Sequence, residues 1–304
     1  MSPGGGARHA PPPTGVDRGT RQDTRAGILL MCLVMLLFAF QDTLSKHLVA
    51  RYDVFLVTAI RYGFMAALAV ALAVRREGGL RATIATRHAP AQVVRGLLLA
   101  FQICIVVTSF VTLGVIGTHA ILAATPLLIA ALAGPTLGER VGWRTWAAIG
   151  AGFVGVLVIV RPTSGAFSAY ALIPVGACFV FAAYSLLTRR VASDDAPATS
   201  FLWTGLTGLA VLAPIGLWRW EPMTGPDAAI MALLCVTAGT GHFLLIRTYA
   251  MAEANVLQPF SYLQLAFASV LAVAFLGERL EVHVAVGAAI VVAAGTFTLV
   301  RQRR

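Results

Sequence analysis

Ile121-Leu-Ala-Ala-Thr125-Pro126-Leu127, running on to Leu137-Gly138-Glu139-Arg140, decides how this chain is built, because the chain states the pattern twice. Its second form is Phe260-Ser261-Tyr262-Leu263-Gln264-Leu265, running on to Leu276-Gly277-Glu278-Arg279. From Leu137 to Leu276 the offset is 139 residues, and the same offset sets Phe110 on Tyr249 and His119 on Gln258. Each copy is followed by a further apolar run closing on Val-Arg, at Val160-Arg161 and Val300-Arg301. So long an internal period in an apolar chain indicates a duplicated helical bundle.

The bulk composition places that bundle in a membrane. A mean hydropathy of +0.82 with 12% charged residues over 304 residues leaves more apolar surface than a water-soluble fold can hide. The formal net charge of +10 is read as Lys and Arg gathered in cytoplasmic loops rather than as a nucleic-acid-binding surface. Cys32, Cys104, Cys178 and Cys235 all sit inside apolar runs without metal-type spacing, as buried reduced thiols would. No cofactor is implied.

Residues 1–25, with Pro11-Pro12-Pro13, several glycines and four arginines, read as a disordered basic tail. Ten apolar spans follow, at about 26–46, 54–74, 92–112, 115–137, 143–160, 169–188, 199–217, 228–249, 254–276 and 282–300, each long enough for a ~30 Å hydrocarbon core. The expected fold is an all-α integral membrane protein of ten transmembrane helices, five in residues 26–161 and five in 169–301. With the N-terminus inside, the cytoplasmic connections carry fifteen Lys and Arg and the outer ones five, so both termini are expected in the cytoplasm, the bilayer being the cytoplasmic (inner) membrane. Five is odd, so the second half enters the membrane inverted. The sixth span also echoes the first, Phe181 to Arg189 lying against Phe38 to Lys46. Inverted repeats give secondary transporters two symmetry-related states, open to opposite sides.

Ten spans in two halves, each with a proline-containing span, Leu-Gly-Glu-Arg and then a glycine-rich span, resemble the drug/metabolite transporter superfamily. Specifically, the chain is similar over residues 26–301 to the bacterial exporters with two EamA domains. The resemblance implies a central cavity lined mainly by spans one to four and six to nine, with the fifth and tenth as supports. It implies export of amino acids or other small metabolites, although some members move nucleotide-linked compounds or vitamins. The chain departs from the pattern where Leu265 stands opposite Pro126, its nearby proline being Pro259.

Polar groups inside a bilayer cost a few kcal/mol when charged, so each asks for a reason. In the ninth span Asn255, Gln258, Tyr262 and Ser269 share a face about 60° wide, and Pro259 frees the carbonyl of Asn255. That stripe suits either a cavity wall for a hydrogen-bonding solute or bonds between neighbouring helices. Gln264 points away from it. In the fourth span Pro126 frees the carbonyl of Leu122 on the face of His119, a candidate ligand or proton relay that a structural histidine would equally explain. Gln102, Tyr184 and Trp203 are further candidates for the cavity wall, with packing as the alternative. Gln41, Asp42 and Ser45 share one face of the first span. Asp42 has Lys46 or Arg61 as its expected partner, and an Asp42–Arg61 pair reads as an outer gate, a site for a substrate carboxylate or a structural bridge, with Asp42 the coupling carboxylate if transport is proton-driven. Glu139 and Glu278 read as turn markers. Glycines of the fifth and tenth spans, such as Gly155 and Gly287, allow close packing in a monomer or contact in a homodimer.

The leading expectation is an exporter of a small-molecule substrate working by alternating access. A lipid flippase and an intramembrane enzyme are the rivals. The enzyme reading lacks a His-Glu-x-x-His, a Gly-x-Ser-x-Gly or paired carboxylates, and an ATP-driven pump lacks its phosphate-binding loop.

Overall fold

The computed structural model describes residues 20–137, 143–160, 169–191, 194–251 and 260–301. Among these residues the regular structure is entirely helical. The helices are α1 (Thr20–Val49), α2 (Val54–Val74), α3 (Gly79–Ile84), α4 (Ala89–Leu113), α5 (Val115–Leu122), α6 (Thr125–Leu137) and α7 (Trp143–Val160). A single 3-10 turn, Ala169–Ala171, leads into α8 (Leu172–Val191), followed by α9 (Pro197–Trp218), α10 (Gly225–Met251), α11 (Leu263–Leu276) and α12 (Val282–Arg301). Among the described residues six stretches are long and apolar enough to cross a bilayer: Arg25–Val49, Val54–Val74, Ala89–Leu113, Ala169–Thr188, Pro197–Trp218 and Gly225–Leu245. Shorter apolar helices lie at Val115–Ile129, Trp146–Val160, Leu263–Leu276 and Val282–Ala294. The chain is a multi-pass membrane protein, all-helical among the described residues, as the loss of water inside a bilayer requires of an apolar span outside a closed barrel. α1 begins at Thr20, within the stretch read as a tail, and residues 1–19 of that stretch lie outside the described residues.

Helix ends follow local chemistry. Asp53 caps α2 by accepting from the Phe55 N–H at 2.8 Å. Pro90 and Pro197 stand in the first turns of α4 and α9, where a missing N–H costs nothing. The expected fourth span is broken in two. Pro126 has no N–H for the carbonyl of Leu122, so α5 stops there and α6 restarts at Thr125, with the Leu127 N–H turning to Ala124 O at 3.1 Å. Gly114, at φ +84°, makes the sharp joint between α4 and α5, a left-handed region that favours glycine. Pro259 lies outside the described residues.

Inside a bilayer, helices associate through close packing and polar bonds rather than through water exclusion. Small residues therefore mark the tightest crossings. On α7 and α12, a Cβ at Gly155 would stand 2.8 Å from the carbonyl oxygen of Gly287, and one at Gly287 2.6 Å from that of Gly155. These glycines serve a contact within the chain. On α9, a Cβ at Gly208 would stand 2.1 Å from the Tyr62 ring of α2, and one at Gly216 2.5 Å from Ala59. Besides the α2–α9 and α7–α12 pairs, α1 packs on α10 and α11, α4 on α8 and α9, α6 on α8, and α10 on α2. Leu29, Phe101, Phe153 and Phe275 face outward, 60% to 73% exposed, as lipid-facing side chains would be.

Candidate functional site

The polar face of α1 meets a polar face from each of three other helices. Asp42 is buried, and its Oδ2 receives the Gln264 Nε2–H of α11 at 3.0 Å and lies 3.0 Å from His119 Nε2 of α5. The imidazole in turn lies beside the Phe110 ring, centroids 5.6 Å apart. A carboxylate with an amide and an imidazole on one oxygen is held against desolvation without a full ionic partner. Arg61, the expected partner, turns elsewhere: its Nη2 donates to Gln41 Oε1 at 3.2 Å and its Nη1 to Ser45 Oγ at 3.4 Å. Lys46 also leaves Asp42, donating to the carbonyl of Phe110 and standing 3.6 Å from Glu278 Oε1. Asp42 therefore joins α1, α5 and α11, while Arg61 joins α1 and α2.

Glu278 is more than a turn marker. Its carboxylate accepts the N–H groups of Val115 at 2.8 Å and Ile116 at 3.0 Å, the first amides of α5. A negative group there complements the helix dipole and fixes the start of the helix that carries His119. The carboxylate fits only because Gly114 has no Cβ, which would stand 2.9 Å from Glu278 Oε2.

Two buried hydroxyls, of Tyr62 on α2 and Tyr262 before α11, have no hydrogen-bond partner among the described residues. Tyr262 belongs to the expected cavity stripe. Asn255 and Gln258 of that stripe lie outside the described residues. Tyr62 escaped the sequence reading, because a tyrosine in an apolar helix reads as packing.

A second polar knot surrounds Arg95 on α4, which is 2% exposed. It donates to Gln92 Oε1 at 3.0 Å, Tyr184 OH at 3.3 Å, Thr204 Oγ1 at 2.8 Å and the carbonyl of Ser200. Its guanidinium also lies 5.6 Å from the centroid of the Tyr184 ring. Tyr184 thus serves Arg95. Trp203 ties α9 to α3 by donating from Nε1 to the Ile84 carbonyl at 3.1 Å, at an exposed position. Gln102 is half-buried on α4 without a hydrogen bond among the described residues. Of the expected site residues, the structure brings together Asp42 and His119, sets Arg61 beside them through Gln41, and places Tyr184 and Trp203 elsewhere.

Polar contacts also close each end of the bundle. Asp227, at the start of α10, receives Arg51 Nη1 at 3.1 Å, Tyr52 OH at 2.9 Å and Thr224 Oγ1 at 2.9 Å, with His47 Nε2 at 3.3 Å. At the opposite end Asp195 receives Thr86 Oγ1 at 2.6 Å and Gln92 Nε2 at 2.7 Å, and Asp194 Oδ2 lies 2.7 Å from His88 Nε2.

Comparison with known proteins fits this membrane-embedded polar interior. A riboflavin transporter of Rhizobium johnstonii is 29% identical over 91% of this chain and 92% of its own length. A riboflavin transporter of Vibrio cholerae is 26% identical over 79% of this chain and 81% of its own. An S-adenosylmethionine uptake transporter of Rickettsia prowazekii is 24% identical over 91% of this chain and 94% of its own. A protein of known crystal structure shares the fold with a TM-score of 0.67 at 17% identity, over 92% of this chain and 99% of that one. The expected export of amino acids does not stand, because relatives matched over nine-tenths of the chain are named for riboflavin and for uptake of S-adenosylmethionine. The EamA-like transporter family matches twice, over residues 25–161 and 168–300. With both halves matched, the chain belongs to the EamA-like transporter family, within the drug/metabolite transporter superfamily.

Proposed function

We propose that this protein is a secondary carrier taking up a small organic solute across the cytoplasmic membrane, through ten membrane-crossing helices in two inverted five-helix repeats, both termini being cytoplasmic. The observation that carries the reading is the buried Asp42–His119–Gln264 knot, with Arg61 beside it and unpartnered hydroxyls on Tyr62 and Tyr262. Such groups destabilise a bundle that has no use for them, and they suit a hydrogen-bonding solute. The relative named for S-adenosylmethionine uptake supports the inward direction, and the relatives' names support the class, a flavin or a sulfonium nucleoside of amino-acid type.

Several features support the repeat. The 18 residues of α7 and 20 of α12 reach about 27–30 Å at 1.5 Å per residue, enough to cross. Helix pairings map onto one another when the halves are exchanged: α1–α10 onto α8–α4, α4–α9 onto α10–α2, and α1–α11 onto α8–α6. The polar end contacts join connections that the charge count assigns to one side, Tyr52 with Asp227 at the outer end and Thr86 with Asp195 at the inner. In this reading the solute enters past the Asp227 latch, binds beside Asp42 and Arg61, and leaves past Asp195. Growth tests the function: a bacterium needing external riboflavin or S-adenosylmethionine and lacking its own carrier should grow on micromolar supplies of one of them when it makes this protein. Failure on both, with the protein present in the membrane, would sink the reading.

A further inference from the structure

The two deeply buried arginines are supplied very differently. A guanidinium offers five N–H donors in a planar fork. Arg95 places them on four acceptors from α4, α8 and α9. Arg61, 7% exposed, has only Gln41 Oε1 and Ser45 Oγ among the described residues, and no carboxylate oxygen within 4.0 Å. On the next residue stands the Tyr62 hydroxyl, buried and without a partner among the described residues. The neighbouring charges are turned elsewhere: Asp42 through its Oδ2 to His119 and Gln264, and Lys46 to Glu278. A buried guanidinium lacking an anion is an unfinished pair, costly until one arrives.

We propose that Arg61 binds the carboxylate of the transported solute, so that the solute carries a zwitterionic amino-acid head, as S-adenosylmethionine does, rather than being a neutral ring system such as riboflavin. The inference rests on the uptake reading above. The Arg fork matches a carboxylate in two parallel bonds, and the Tyr62 hydroxyl adds a donor on the same turn. Asp42, one residue from Gln41 on α1, sets the charge. A phosphate dianion would meet that carboxylate with no second unengaged cation, whereas a zwitterion presents its own cation to Asp42 while its carboxylate faces Arg61.

The test uses the full chain in proteoliposomes and measures uptake of labelled S-adenosylmethionine, riboflavin and riboflavin 5′-phosphate, with the first also competed by its carboxyl methyl ester and by the two flavins. The ester should compete at least about tenfold more weakly than the unlabelled parent compound, as the loss of a charge-assisted pair implies. Arg61→Gln should cut uptake about tenfold or more and abolish the preference for acid over ester, and Arg61→Lys should restore part of both. A merely structural arginine would lower uptake without changing that preference. Equal competition by ester and acid overturns the proposal, and so does uptake of riboflavin alone, which leaves the carrier reading intact. Preference for the flavin phosphate would replace the carboxylate by a phosphate and overturn the zwitterion. Uptake of none of these solutes would overturn both readings. Where Arg61→Gln does not assemble, the competition on the wild-type protein still decides.

Discussion

The two ends of the bundle are closed by the same pair of connections from opposite halves, with the charges exchanged. At one end a single acid on α10, Asp227, 1% exposed, gathers Arg51, His47 and Tyr52 from the joint between α1 and α2. At the other end the acids sit in the joint between α8 and α9, and the donors are Thr86, His88 and Gln92. The first latch is ionic and its acid is buried, although Arg51 and His47 are 59% and 37% exposed. The second relies on neutral donors at Asp195 and on an exposed pair, His88–Asp194, whose side chains are 39% and 58% exposed. Opening the first takes a buried carboxylate from its cations and a tyrosine hydroxyl; opening the second trades hydrogen bonds that are mostly to neutral donors for water ones. A carrier that loads from outside and unloads inside would then hold its outer door more firmly than its inner one.

That contrast can be broken at chosen residues. The largest effect is expected from Asp227→Ala, which strands Arg51, His47 and Tyr52 together. Labelling of Ser45→Cys, a buried position, by a membrane-impermeant maleimide added outside should rise about tenfold or more in that background. Unchanged labelling would mean that Asp227 closes nothing. Next comes Gln92→Leu at the inner end, which takes a donor from Asp195 and an acceptor from Arg95, for about 1–3 kcal/mol of stability seen as a lower melting temperature in detergent. Glu278→Gln weakens the cap on α5 by about 1 kcal/mol, and the same assay should show a smaller drop. Smallest is Asp194→Asn, worth less than about 0.5 kcal/mol, and raising salt should reproduce it while leaving the Asp227 latch closed. A large loss for Asp194→Asn would make the two ends equals and end the argument for an easier inner door.

Much of the scaffold is visible in the chain itself. The spans expected at 54–74 and 143–160 coincide with α2 and α7, and Pro126 marks the break between α5 and α6. The face of α1 bearing Gln41, Asp42 and Ser45 is the face that the interior uses. Partners were harder to foresee. Asp42 and His119 lie on helices separated by three others in sequence, and Gln264 points away from the cavity stripe on a helical wheel, yet both His119 and Gln264 reach the same carboxylate oxygen. A helical wheel sorts residues by angle, but a helix in a bilayer is apolar all round, so the angle does not say which side meets protein and which meets lipid. Glu278 was hidden differently. Its Gly-Glu context is that of an ordinary helix stop, and only the folded chain shows that the stop of one half caps a helix of the other.

Inward flux through the Asp42 knot is the most direct test of the account. Proteoliposomes carrying the wild-type protein or Asp42→Asn should be offered labelled riboflavin and labelled S-adenosylmethionine from outside, with and without an imposed gradient. The account predicts that the wild-type protein accumulates one of the two inside and that Asp42→Asn, equally well inserted, loses about nine-tenths or more of that flux. Equal flux through both proteins would contradict it, since the buried carboxylate that joins α1, α5 and α11 would then be a structural bond and the solute would pass elsewhere.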